Sequence, residues 1–259
     1  LHPTIDLIFF DLPAYTALVL LGAMAGLGVA YVYLRKRARR AMTPEIFLDG
    51  AVIVCAAGWI GARAYHIALR WDYYAARPDE IVQIGLGGLA MRGAFLAGFL
   101  ALALYARTRG LRFGKLADAS ALGLTIGQAV GWVGALAHGA NYGVVSDSQI
   151  ALELPDLYGL IALRFPLQHC EIVLFVGLFV GLLVLALRQP RAGTLFLAYC
   201  LIASAANFVL GFWRGAETLF VGALRVDQGV DLILGALALS MLAWQTIRRV
   251  GNVGIRVNG

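Results

Sequence analysis

The chain has 259 residues, 61% hydrophobic and 14% charged, with a formal net charge of +6. Ordinary soluble domains are about 45–50% apolar and about 25% charged, so the composition excludes a soluble globular protein and a disordered one. What fits is an all-α integral membrane protein, one polytopic domain over residues 1–259, because the length holds about six to eight spans of ~20 residues.

Residues 1–13 carry no basic n-region, which predicts no cleavable signal peptide. The first apolar run, about 15–34, stops at Arg35-Lys36-Arg37-Ala38-Arg39-Arg40. Further runs predict spans at about 46–69, 81–106 (Gly-rich in its first half), 116–140, 167–187, 193–213 and 229–247. Between the fourth and fifth lies the longest connection, about Asn141 to Pro166. Leu152, Leu154, Leu157 and Leu160 are too apolar for a free linker there, so a partly ordered cap is expected.

Seven transmembrane helices place the basic clusters 35–40, 107–115, 188–191 and 248–256 on one face. Lys and Arg in short loops mark the cytoplasmic side. The N-terminus is therefore expected outside, the C-terminus in the cytoplasm and the cap loop outside. Six or eight spans would break this alternation. Trp71, Tyr73 and Tyr74 end the second span, where an interfacial aromatic belt is expected.

Ionised groups within spans default to function. Arg63 and Arg92 are two such groups, and guanidinium matches phosphate oxygens bidentately. The glycines before Arg92 suit a broken helix lining a cavity; the alternative is that both side chains snorkel to the headgroups. Asp49 and Asp118 fall near cytoplasmic ends and are expected at the exposed interface. Glu171, after Gln168 and His169, is expected to pair with an arginine of the outer half. His66, His138 and His169 show no ligand spacing, and Cys55, Cys170 and Cys200 form neither a disulfide pattern nor a CxxC. No metal, cofactor or nucleic acid is expected. Gly127, Gly131, Gly134, Gly139 and Gly143 read as tight packing of the fourth span.

Taken in order, these residues resemble the bacterial prolipoprotein diacylglyceryl transferases over nearly the whole chain. The resemblance rests on Asp11-Leu12-Pro13-Ala14-Tyr15, Gly61-Ala62-Arg63, Gly87-Gly88 with Arg92-Gly93, and Leu116-Ala117-Asp118. It continues through Gly127-Gln128-Ala129-Val130-Gly131 up to Gly143, Gln168-His169-Cys170-Glu171, Phe208, Phe212-Trp213-Arg214 and Gln228. It implies a multi-pass enzyme of the bacterial inner membrane that moves diacylglyceryl from phosphatidylglycerol to a lipobox cysteine. It also implies that Arg63, Arg92, Arg214 and Tyr15 hold lipid phosphate. Glu171, Gln168, Asn141, Gly131, Gly134 and Gly143 would support that site, with Arg92 and His138 catalytic if the chain is active.

The departures are concentrated in the family's charged positions. Trp132, Ala135, His138 and Ala140 stand in the signature stretch where the family has Arg, Asn, Asn and Glu; Arg92 replaces a His, Asn207 an Arg and Gly211 a Glu. Kept glycines with lost charges predict a non-catalytic membrane subunit that packs against other integral proteins or binds an anionic phospholipid such as phosphatidylglycerol. The alternative is an active transferase that lipidates a lipobox thiol.

Overall fold

Where a chain is apolar on every side and has no water to satisfy its backbone, the α-helix pairs all peptide groups internally. The computed structural model follows this rule along most of its length. It describes the backbone of residues 4–7, 10–37, 42–83, 88–215 and 219–257, and side chains from residue 14 to 247 within those ranges. His2, Gly87, Arg39 and Arg40, and the side chains of Asp11, Leu12, Pro13, Arg248, Arg249 and Arg256, lie outside the described residues.

The long helices are α1 (Ala14–Arg37), α2 (Pro44–Leu69), α4 (Met91–Thr108), α5 (Phe113–His138), α6 (Leu167–Leu187), α7 (Thr194–Leu210) and α8 (Val226–Val257); α3 (Trp71–Ala75) is a short turn. Among the described residues, six stretches, in α1, α2, α5, α6, α7 (extended to Trp213) and α8, are long and apolar enough to cross a membrane. Met24, Val52, Ile60, Val173, Leu187 and Ile233 on these helices are exposed. So much bare aliphatic surface marks a protein whose solvent is lipid.

Three elements differ from expectation. The third span was expected from residue 81, but Pro78–Val82 is a 3-10 turn and α4 starts only at Met91. Gly88 sits at φ +81°, a left-handed conformation that ends helical continuity. With 18 residues α4 is about 27 Å long, slightly short of a ~30 Å hydrocarbon core, and it is not among the six stretches above. Helix α5 stops at His138 rather than 140, because Gly139 and Asn141 adopt φ +69° and +53°. Helix α8 runs past residue 247 to Val257.

Three antiparallel ribbons interrupt the helices: β1 (Thr4–Leu7) with β2 (Phe10–Pro13), β3 (Leu152–Pro155) with β4 (Ile161–Arg164), and β5 (Phe220–Val221) with β6 (Leu224–Arg225). The β3–β4 ribbon pairs Leu152 with Arg164 and Pro155 with Ile161, and gives the expected cap loop its order.

The chain forms two compact units, residues 1–30 with 118–259, and residues 31–117. In the first, α1 and α5 approach through glycine. A Cβ on Gly26 would lie 2.5 Å from the Gly123 carbonyl oxygen, and one on Gly22 2.7 Å from that of Gly127. Leu122, Leu167, Phe175, Leu182 and Leu195 fill its interior. Asp118 is buried, contrary to the interfacial exposure expected of it. Its carboxylate accepts from the backbone N–H groups of Gly193 (2.8 Å) and Phe196 (3.1 Å), capping the start of α7, which has no side-chain cap of its own. In the second unit α2 packs on α4, where a Cβ on Gly93 would strike the Gly61 carbonyl and Tyr65. The Tyr105 hydroxyl donates to the Ile46 carbonyl (2.6 Å), and Asp49 pairs with Arg109 at the surface.

Candidate functional site

Pro166 precedes α6 and presets its entry. From there Gln168, Glu171 and Phe175 recur at helical spacing on one buried face. The Gln168 amide donates to the Ala140 carbonyl (3.1 Å), tying α6 to the turn after α5. Arg214, at the end of the 3-10 turn Gly211–Trp213, donates through Nη2 to Glu171 Oε1 (3.2 Å) and lies over the Trp132 ring, 5.7 Å from its centroid.

Backbone pairing assembles these distant segments. Gly143 bridges Arg214, the Val144 N–H donates to the Trp213 carbonyl (2.9 Å), and the Gly215 N–H donates to the Tyr142 carbonyl (2.9 Å). Gly143 has no room for a Cβ, which would strike the Phe165 carbonyl. The Arg225 guanidinium donates to the Arg214 carbonyl (2.9 Å); Gln228 accepts from the Arg225 N–H and donates to the Phe208 carbonyl. Burial and the adjacent Arg214 charge hold the Arg225 guanidinium below its ordinary range.

Among the described residues, Gln168 Oε1, Glu171 Oε2 and Arg214 Nε are buried polar atoms of this cluster with no hydrogen-bond partner. Leaving such groups unmade costs about 1–3 kcal/mol each. Clustered donors and acceptors without protein partners suit a polar ligand or ordered water. Tyr15 and His138 also meet, their rings stacked with centroids 5.3 Å apart. Gly134 packs against Tyr15, whereas Gly131 faces open space and Asn141 is exposed.

The second unit holds the other two arginines. Arg63 is buried and donates to four backbone carbonyls: from Nε to Ile81 (3.0 Å), from Nη1 to Gly88 (3.3 Å), and from Nη2 to Glu80 (2.5 Å) and Gln83 (3.3 Å). Its guanidinium also lies over the Tyr74 ring. These bonds tie the Arg63 guanidinium to the chain's own carbonyls. A planar fork of donors is the group best suited to gather several carbonyls. Arg92 is half-buried at the second residue of α4, whose N-cap Ala90 supplies no side-chain cap.

One reading of the sequence changes here. Trp132 was expected to leave the site without charge, yet its ring supports the Arg214 guanidinium; indole is the strongest cation–π partner. Arg225, which no motif in the sequence singles out, is a buried member of the cluster. Nothing in the apolar spacing marks it, because a two-residue ribbon, not a helix face, brings it in.

A membrane-embedded helical scaffold with a buried Arg–Glu–Gln cluster defines a multi-pass integral membrane protein with an internal polar site. A family model described as prolipoprotein diacylglyceryl transferase matches residues 4–244. The chain belongs to that family, whose members reside in the bacterial inner membrane. A phosphatidylglycerol–prolipoprotein diacylglyceryl transferase of Bacillus licheniformis is 30% identical over 242 residues, covering 90% of this chain and 88% of the relative. The similarly named protein of Thermosynechococcus vestitus is 31% identical, covering 95% and 91%. That of Symbiobacterium thermophilum is 33% identical, covering 79% of each.

Proposed function

We propose that this chain is a phosphatidylglycerol–prolipoprotein diacylglyceryl transferase. The lipobox thiol attacks the glyceryl carbon, a C–S bond forms, the C–O bond to phosphate breaks, and glycerol phosphate leaves. The reaction needs a cation beside the departing phosphate and an acceptor for the thiol proton. Arg214 carries the reading: its guanidinium is braced by Trp132 and Glu171 and keeps Nε without a protein partner among the described residues. The resemblance makes Arg92, in the other unit, a second phosphate-binding candidate; it stands in the first turn of α4, and backbone N–H groups at a helix start favour anions. His138 is the candidate proton acceptor, and Tyr15 stacks on it.

The relatives named as transferases, matched along nine-tenths of the chain, support activity over the non-catalytic role that the lost charges suggest. That second reading, a subunit that binds lipid or packs on other integral proteins, is favoured by Ala135, Ala140, Asn207 and Gly211 at positions where the resemblance calls for polar or charged groups. Purified protein in phosphatidylglycerol vesicles, given a lipobox peptide, separates the two. A thioether-linked lipopeptide is expected, with Arg214→Gln slowing its formation about 10²–10³-fold. Phosphatidylglycerol binding without product supports the second reading.

A further inference from the structure

The β3–β4 ribbon is built inside out for a loop in water. The polar groups next to its tip point inward: Asp156 is buried, accepts from the N–H groups of Tyr158 and Leu160 (both 2.9 Å) and pairs with Arg164 (2.9 Å), which lies over Tyr142. Gly139 presses against the Asp156 carbonyl, so the base is rigid. The outer surface is aliphatic and aromatic: Leu157, Tyr158 (87% exposed), Leu160, Ile161 (68%) and Leu163 all stand clear of the protein. Between residues 150 and 163 only Glu153 and Asp156 are charged; Asp156 is buried, and Glu153 is exposed opposite Leu163, away from the tip.

A surface of this kind needs a partner, and its position names one. Strand β4 leads into the apolar helix α6 after only Phe165 and Pro166; residues 164–168 are buried, and the next exposed apolar residues along the chain are Val173 and Val176 on that helix. A two-residue link to a helix long and apolar enough to cross a membrane holds the ribbon's bare face beside the end of that helix, at the level of the membrane boundary. The shorter β5–β6 ribbon repeats the pattern: Phe220 and Val221 are exposed, and β6 runs directly into α8.

We propose that the β3–β4 ribbon is a fixed interfacial anchor, its tip seated at the boundary between headgroups and acyl chains of the adjoining leaflet. The depth follows from the backbone. A two-stranded ribbon leaves edge N–H and C=O groups that hydrocarbon cannot satisfy, whereas the headgroup layer hydrates them and accepts tyrosine at its level. The buried Asp156–Arg164 pair keeps charge away from the tip, and the exposed Glu153 stands opposite Leu163 at the far end of the ribbon, on the headgroup side.

The full chain, reconstituted in phosphatidylglycerol–phosphatidylethanolamine vesicles, tests this with spin labels at Tyr158→Cys, Leu160→Cys and the polar-loop control Asp147→Cys. In a background of Cys55→Ser, Cys170→Ser and Cys200→Ser, labels at 158 and 160 are expected to collide with oxygen more than with a water-soluble nickel chelate, and the label at 147 the reverse. Tyr158→Trp in the native-cysteine chain is an independent reading: its added fluorescence should be lost in lipids brominated near the glycerol and kept in those brominated near the chain terminus. Nickel access at 158 equal to that at 147 overturns the anchor. So does shielding from both oxygen and nickel, the mark of a protein partner covering the ribbon.

Discussion

Arg214 and Glu171 meet through a single contact, 3.2 Å from Nη2 to Oε1, while Glu171 Oε2 and Arg214 Nε have no partner among the described residues. A pair made only for stability would close both atoms of a fork. Two of them stay open inside the protein, which suits a polar ligand or ordered water beside the pair.

Removing one partner strands the other charge in a buried setting, which costs about 3–5 kcal/mol. Glu171→Ala is thus expected to lower thermal stability in nanodiscs steeply, and Glu171→Ala with Arg214→Ala to cost less than the sum of the single changes. Additive losses would show that the two side chains act separately.

Arg63 predicts a different behaviour. It gathers Glu80, Ile81, Gln83 and Gly88 into the segment before α4. Lysine keeps the charge but not the fork, so Arg63→Lys should destabilise by about 2 kcal/mol or more. It should also speed tryptic cleavage at the exposed Arg77. Unchanged cleavage would mean that the segment holds itself.

Much of the scaffold was legible in the sequence, because hydrophobic length states helices directly. The site was legible only in its parts. Glu171 advertised an arginine partner, since a lone carboxylate among aliphatic residues needs one, but the choice of Arg214 depends on the turn at 211–213 and the bridge from Gly143. The carbonyl contacts of Arg63 were not legible, because sequence does not show which carbonyls a left-handed Gly88 turns toward it. Asp118 looked interfacial for a similar reason: the N–H groups it caps belong to a helix 75 residues away.

The glycines of α5 separate by environment. Gly123 faces Gly26 with its Cβ position 2.6 Å from a carbonyl, while Gly131 has nothing within 4 Å. Gly123→Ala should cost about 1–3 kcal/mol by overpacking, and Gly131→Ala should be neutral or stabilising, since alanine gains about 0.5–1 kcal/mol over glycine in a helix. Equal effects in thermal melts would contradict the packing of α1 on α5.

Seven crossings with the N-terminus outside require α4 to span despite its 18 residues. Reporters fused after Lys115 and Arg191 should read cytoplasmic, and those after Asp79 and Ser148 outside. The same side for Asp79 and Lys115 would mean that α4 does not cross.

The central claim is that this altered set of charges still transfers diacylglyceryl, and a single-turnover assay tests it most directly. Purified chain is mixed with phosphatidylglycerol radiolabelled in its acyl chains and a lipobox peptide, and thioether product is followed by mass. The account predicts diacylglyceryl-peptide, with stoichiometric release of glycerol phosphate, from the unmodified chain and a loss of about 10²–10³-fold for Arg214→Gln. Labelled lipid that binds the protein and never reaches the peptide would contradict it.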